Sequence, residues 1–451
     1  MSIKTVKKIT LSLVCLSLAG CGMFSEDKII LDGDRISVLD GETILQADFL
    51  PNQVKIELPE AATNISWEQS GGNAMHDMEH PNSGDMITQA WSANFGEGGS
   101  KRDFIIAAPI VKHKVAFTID ADATVRAFRM DNGENIWESK LKPFNKSDRS
   151  AAMKGAGLAA NNKVIYATTG FGAVAALDMM TGKKLWVYNA ELPIRIAPTV
   201  SDNYVFVQTI DNILIALNAE NGKELWKYKS TKEATTLVGG ASPAYDATND
   251  VVVAAFSSGE LRAIKASTGT PLWSVLMVSR KRINSLSAIN SVKANPVIKD
   301  NVVYAAGNNN VLMAIDLRTG IPVWEREVSS VNQPWVVGKY LYILSNDADL
   351  AAIERSSGKI IWTTRIPLGE DVSAKSGVFL SGPVLTGYRL IVASSNGQAY
   401  AISPYSGKIL GYIELDEGVV VPPVVAYDTV LFATNDAELT AYRQTEDGND
   451  D

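Results

Sequence analysis

A glycine followed four residues later by a tryptophan recurs along this chain. The pairs are Gly133 with Trp137, Gly182 with Trp186, Gly222 with Trp226, Gly269 with Trp273, Gly320 with Trp324 and Gly358 with Trp362; a seventh glycine, Gly407, is followed at that distance by Gly411. Successive glycines are separated by as few as 38 residues (Gly320 to Gly358) and as many as 51 (Gly269 to Gly320). A period in that range marks repeat architectures, propellers among them. A chain of 451 residues is also too long for one ordinary core, so several domains or one repeated unit is expected.

One repeat suffices to read the unit. In "NKVIYATTGFGAVAALDMMTGKKLWVYNA", residues 162–190, β-rich runs cover 164–169, 173–177 and 184–188. The glycine falls in the hairpin between the last two, where a positive φ is required. A further short strand opens each unit after a proline, at Pro109, Pro198, Pro243, Pro296, Pro334, Pro383 and Pro423; the unit around Gly157 keeps the spacing without one. Proline suits the first position of a strand because it has no N–H to give a ladder. Eight opening strands and four strands per unit give an all-β, eight-bladed β-propeller of four-stranded antiparallel blades over residues 87–443. The last unit, "PPVVAYDTVLFATNDAELTAYR", stops at its third strand. The N-terminal "ITQAWSANF" supplies the missing outer strand, with Trp91 in the recurring place, and closes the ring. The tryptophans (Trp91, Trp137, Trp186, Trp226, Trp273, Trp324, Trp362) are therefore expected to dock blade on blade, each burying roughly 150–250 Å².

The N-terminus indicates the compartment. Lys4, Lys7 and Lys8 precede an apolar run from Ile9 to Gly20, the order of a secretory signal peptide, expected over residues 1–20. Its end, "LAGC", resembles a bacterial lipobox, which implies lipidation of Cys21, and Gly22 in the next place implies the outer membrane. The other cysteine, Cys15, lies within the signal, so a mature chain has no cysteine pair. The formal charge of −8 becomes about −11 once the signal lysines leave, which argues against a nucleic-acid partner. Residues 21–86 are expected to form a tether and a partly packed extension, in which "KIILDGDRISVL" and "QVKIELP" alternate like strands; residues 444–451 form a disordered acidic tail.

The repeat, seen as "AALDMMTGKKLW" and "MAIDLRTGIPVW", resembles that of quinoprotein-type propellers. Two groups share it: periplasmic dehydrogenases that carry pyrroloquinoline quinone, and the BamB family of outer-membrane β-barrel assembly lipoproteins. The run "SVNQPWVVGKYLYILSNDADLAAIERSSGKIIW", with the lipobox and eight blades, resembles the BamB family. That resemblance implies a non-catalytic scaffold, lipid-anchored on the periplasmic face of the outer membrane. It would bind a POTRA domain of the barrel-inserting subunit, BamA, with unfolded outer-membrane proteins as further partners. The family's docking loops fall here on "TTLVGGASP" and "SVKANP", carrying the expected contact to Leu237, Val238, Gly239, Ser291 and Lys293. Val238 stands where the family has an arginine, and Ser291 and Lys293 where it has aspartates.

The alternatives are a quinone-dependent dehydrogenase and a ligand-sensing propeller. The dehydrogenases clamp their quinone against a vicinal disulfide, which the mature chain cannot form. Asp120, Asp122, Asp178 and Asp316 fall at turns, where aspartate commonly bonds its own backbone. "WEQSGGNAMHDMEH" resembles the lead-in of the dehydrogenase propellers and is read as a covering segment. His76 and His80 have zinc-like spacing, but in a glycine- and proline-flanked stretch that assigns them to a loop or the surface. No catalytic set, metal site or cofactor is expected.

Overall fold

In seven of the eight blades an outer-strand tryptophan sits on the turn glycine of the next blade. In the computed structural model, which describes residues 45–85, 87–100, 105–144, 154–231, 239–278, 291–368 and 377–444, eight four-stranded antiparallel sheets follow one another along the chain, with no helix among the described residues. Blade 1 is Ile110–Lys112, Val115–Ile119, Thr124–Arg129 and Asn135–Lys140. Blades 2 to 7 repeat that order, and blade 8 combines Val424–Ala426, Thr429–Ala433 and Glu438–Arg443 with the N-terminal Thr88–Asn94. The ring is thus closed by the strand that carries Trp91, which lies opposite Ala441. Cys21, the signal, "KIILDGDRISVL" and residues 445–451 fall outside the described residues.

Local chemistry explains the repeat. The turn glycines have φ between 67° and 74°, and a Cβ on any of them would come within 2.5 to 2.7 Å of a tryptophan ring carbon of the preceding blade. Glycine is therefore required twice, for its backbone and for the indole above it. Each indole Nε1–H then donates to a carbonyl of that neighbouring blade: Trp91 to Met130 (3.0 Å), Trp186 to Ala219 (3.1 Å), Trp273 to Leu317 (2.6 Å) and Trp362 to Pro404 (3.1 Å) are representative. Directly across the sheet from each indole is an alanine, such as Ala176 opposite Trp186 and Ala263 opposite Trp273. The residue just before each tryptophan is the extra one of a bulge in the outer strand, as Leu185 is between Lys184 and Trp186.

The lapse at Gly411 follows from the closure. Blade 7 would place its tryptophan on a turn glycine of blade 8, but the outer strand of blade 8 comes from the N-terminus, so no hairpin turn exists there to receive it.

Two sequence expectations need correction. Pro383 does not open its strand: Leu380–Thr386 begins before it, and pairing with the next strand is interrupted between Ser381 and Val384, which accommodates a residue without an N–H. Nor does "QVKIELP" form a strand. It runs extended, Ile56 buried and Lys55 and Glu57 outward, held to blade 6 by the Tyr340 hydroxyl.

Candidate functional site

Residues 62–85 have no repeat pattern, and they are what fills the middle of the ring. This segment visits the inner strand of each blade in turn. Asn64 bonds the backbone of blade 8 through Val425 and Tyr427. Trp67 exchanges two backbone hydrogen bonds with Val111 of blade 1, each 2.8 Å. Glu68 accepts from Ala160 of blade 2, and the Gln69 amide bridges to Val200 of blade 3. Ala74 and Met75 accept from Tyr245 of blade 4 and Ile298 of blade 5. His76 and Glu79 accept from the Gln333 amide and the Trp335 indole of blade 6, and Pro81 from Gly387 of blade 7. Because Gly387 and Tyr427 lie where first strands turn into second strands, this cover lies toward that face. Lys112 with Glu68, and Lys299 with Asp77 (2.7 Å) and Glu79, fasten it by charge.

The covering role expected of "WEQSGGNAMHDMEH" is thus what the geometry provides. The loop assignment of His76 and His80 holds, but both are buried rather than at the surface. His76 Nδ1 lies 2.7 Å from the Pro296 carbonyl, and its Nε2 is buried without a partner. Burial pushes its pKa from 6.5 down to about 4, so the native imidazole is neutral at pH 7. Below about pH 6.5 the unfolded chain takes up a proton that the folded one refuses, so stability falls with pH. The loss should total roughly 3 kcal/mol by pH 4. Urea unfolding at pH 7 and pH 4.5 checks this: His76→Asn, which can keep the bond to Pro296 and tolerates the positive φ of 62°, should lose less on acidification than the wild type.

Above the cover the channel remains open as a cavity of about 460 Å³ toward the face of the inter-blade loops. Its floor is Trp67, Ser70 and Gly71, with the Trp67 ring stacked on Trp335 at 6.2 Å between centroids. Its wall is set by a register position, the third residue before each opening proline. That position is Ile106, Arg195, Gly240, Lys293, Val331, Leu380 and Val420, and all of them line the cavity. Arg195 and Lys293 are therefore two cations in an otherwise apolar or glycine ring. Neither has an ion pair among the described residues, and the Arg195 Nε is buried without a hydrogen-bond partner. Burial lowers the pKa of Lys293.

The candidate docking residues divide. Leu237 and Val238 lie outside the described residues. Gly239, with φ 84°, lies in the cavity wall, where a Cβ would stand 3.6 Å from the Lys293 ammonium and 4.0 Å from the Arg195 carbonyl oxygen. Ser291 is 2% exposed. Gly239 and Lys293 are thus brought together, on the inner side of the loops. Arg195 escaped the sequence reading, although its offset from Pro198 equals that of Lys293 from Pro296.

Dehydrogenase chemistry does not fit this wall. Among the described residues the cavity lining holds no carboxylate, so the described wall supplies neither an aspartate base nor an anionic calcium ligand. No cluster of three or more His, Cys, Asp or Glu side chains suited to a metal occurs among the described residues. The turn aspartates are engaged locally: Asp178 accepts from Thr181, Asp316 from Thr319, and these bonds lower both pKa values.

A family model described as "Outer membrane protein assembly factor BamB" matches residues 121–364 and 368–451. The chain is 26% identical over 359 residues to the outer membrane protein assembly factor BamB of Yersinia pestis, covering 79% of this chain and 88% of that one. It is 27% identical to the BamB of Shewanella oneidensis, covering 76% and 85%. Among solved structures, BamB from Moraxella catarrhalis superposes with a TM-score of 0.65 at 19% identity, covering 80% of this chain and all of that one. Quinohemoprotein alcohol dehydrogenase from Comamonas testosteroni has the same TM-score at 14% identity, covering 86% and 82%; at such identities the likeness is one of fold.

Proposed function

This chain belongs to the family of outer membrane protein assembly factor BamB, and from that premise we propose that it is a non-catalytic scaffold of the β-barrel assembly machinery. In this reading it is anchored through a lipid on Cys21 at the periplasmic face of the outer membrane and holds the barrel-inserting subunit by a POTRA domain. The observation that carries the reading is a closed ring whose inter-blade loops share one face while its channel wall lacks a carboxylate among the described residues. Such a ring fixes the spacing of the strands from which the loops spring.

The contact is assigned to the loop of Leu237, Val238 and Gly239, together with the next loop, whose base is set by buried Ser291 and inward-turned Lys293. Leu237→Asp should weaken binding of purified POTRA domains about thirtyfold, as loss of a hydrophobic anchor does. Lys293→Met should leave it within about twofold, since that side chain faces the channel. Surface plasmon resonance with immobilised POTRA domains checks both, and unchanged binding by Leu237→Asp would remove this loop from the interface.

Unfolded outer-membrane proteins would be received along blade edges by β-augmentation. The chain offers its own precedent. Asp48 N–H donates to the Ile360 carbonyl (2.8 Å) and its carboxylate accepts from Ile360 N–H (2.7 Å), so one residue of the N-terminal segment caps the edge of the outer strand of blade 6. There Ile361 is buried, whereas its counterparts Leu185, Leu225, Leu272 and Val323 are 46% to 54% exposed on other blades.

A further inference from the structure

We infer that the central cavity is a binding site for a small organic acid, one carboxylate on an apolar body, held between Arg195 and Lys293. The cavity of about 460 Å³ is within the range of small-molecule sites and is closed below by the Trp67 floor. Its two halves differ in chemistry. Blades 6 to 8 and blade 1 contribute Trp335, Val384, Val421 and Ala107, while blades 3 and 5 contribute the two cations on either side of Gly239. No anionic side chain answers those cations among the described residues of the wall, and the Arg195 Nε has no acceptor.

Two half-buried cations on one cavity wall, with no anion beside them among the described residues, are costly to a fold. A ring that only had to pack would carry apolar side chains at this register position, as blades 1, 6, 7 and 8 do with Ile106, Val331, Leu380 and Val420. Gly239 adds the third element. A side chain there would reach the space beside the Lys293 ammonium, so glycine keeps that corner clear. The remaining polar groups of the wall are largely committed: Asn295 bonds Ser70, Gln333 and the Ser242 N–H, and Gln333 also bonds His76. Charge at one edge and carbon elsewhere select an amphipathic monoanion over phosphate or a neutral solute.

The test is isothermal titration of the purified full-length protein with 1-naphthoate and with neutral 1-naphthamide. Saturable 1-naphthoate binding with Kd below about 1 mM is expected, with the amide at least tenfold weaker. Lys293→Met and Arg195→Gln should each weaken 1-naphthoate at least tenfold and leave the amide unchanged, and Lys293→Arg should retain binding. Without ligand, Lys293→Met should raise the thermal midpoint, since it removes a half-buried charge with no ion pair among the described residues. No binding at 10 mM, equal binding of the amide, or unaltered binding by both variants would overturn the assignment. POTRA binding by Lys293→Met is read separately, so failure here leaves the scaffold reading standing.

Discussion

Trp273→Ala should cost the protein about 3–5 kcal/mol, and Gly320→Ala about 2–4 kcal/mol, yet the two together should cost less than their sum by at least about 1 kcal/mol. The indole of Trp273 is 8% exposed and donates to the Leu317 carbonyl at 2.6 Å, so truncation leaves both a cavity and an unpaired buried carbonyl. Gly320 has φ 73°, where any side chain carries about 1–2 kcal/mol of strain. Its added Cβ would also lie 2.7 Å from the nearest Trp273 ring carbon. In the double variant the strain remains but the overlap is gone, and that difference is the coupling. Urea unfolding of the four proteins measures it. Strict additivity would mean that the glycine and the indole do not share one contact.

Trp67→Ala should cost about 3–5 kcal/mol although Trp67 lies outside every blade. The side chain is 3% exposed, stacks on Trp335 and forms the floor of the channel, while its backbone is paired to Val111. Two residues earlier, Ile65 is 66% exposed, so Ile65→Ala should stay within about 0.5 kcal/mol. The contrast distinguishes a cover that folds with the ring from one that merely rests on it. If both variants unfold at the same urea concentration as the wild type, the segment contributes no stability and the channel floor is not fixed.

What the sequence made legible was whatever repeats. Turn glycines and tryptophans recur because every blade solves the same docking problem, and Trp91 revealed the closing strand by occupying the same place. The reason the two residues travel together was hidden, because their contact joins positions one blade apart, such as Gly320 and Trp273. Gly411 looked like a lapse until the closure removed the turn that a tryptophan would cover. The covering segment was opaque for the opposite reason. Its hydrogen bonds go to each blade in turn from different kinds of residue, so no period marks it, and His76 is bonded to the carbonyl of Pro296, far along the chain.

The channel wall lies between these cases. Arg195 and Lys293 occupy equivalent register positions, but only alignment of the units on their opening prolines brings them together. The first loop of the expected docking surface lies largely beyond the described residues, and the inward placement of Lys293 depends on a loop base that no local pattern encodes.

The scaffold account is tested most directly by recovering the protein's partners from detergent-solubilised outer membranes, using tagged full-length chain beside a Cys21→Ala control. The account predicts that the wild type sediments with membranes and brings down a barrel-assembly subunit bearing POTRA domains, and that Cys21→Ala is lost from the membrane fraction. Folded, membrane-attached wild-type protein that recovers no such subunit would contradict it.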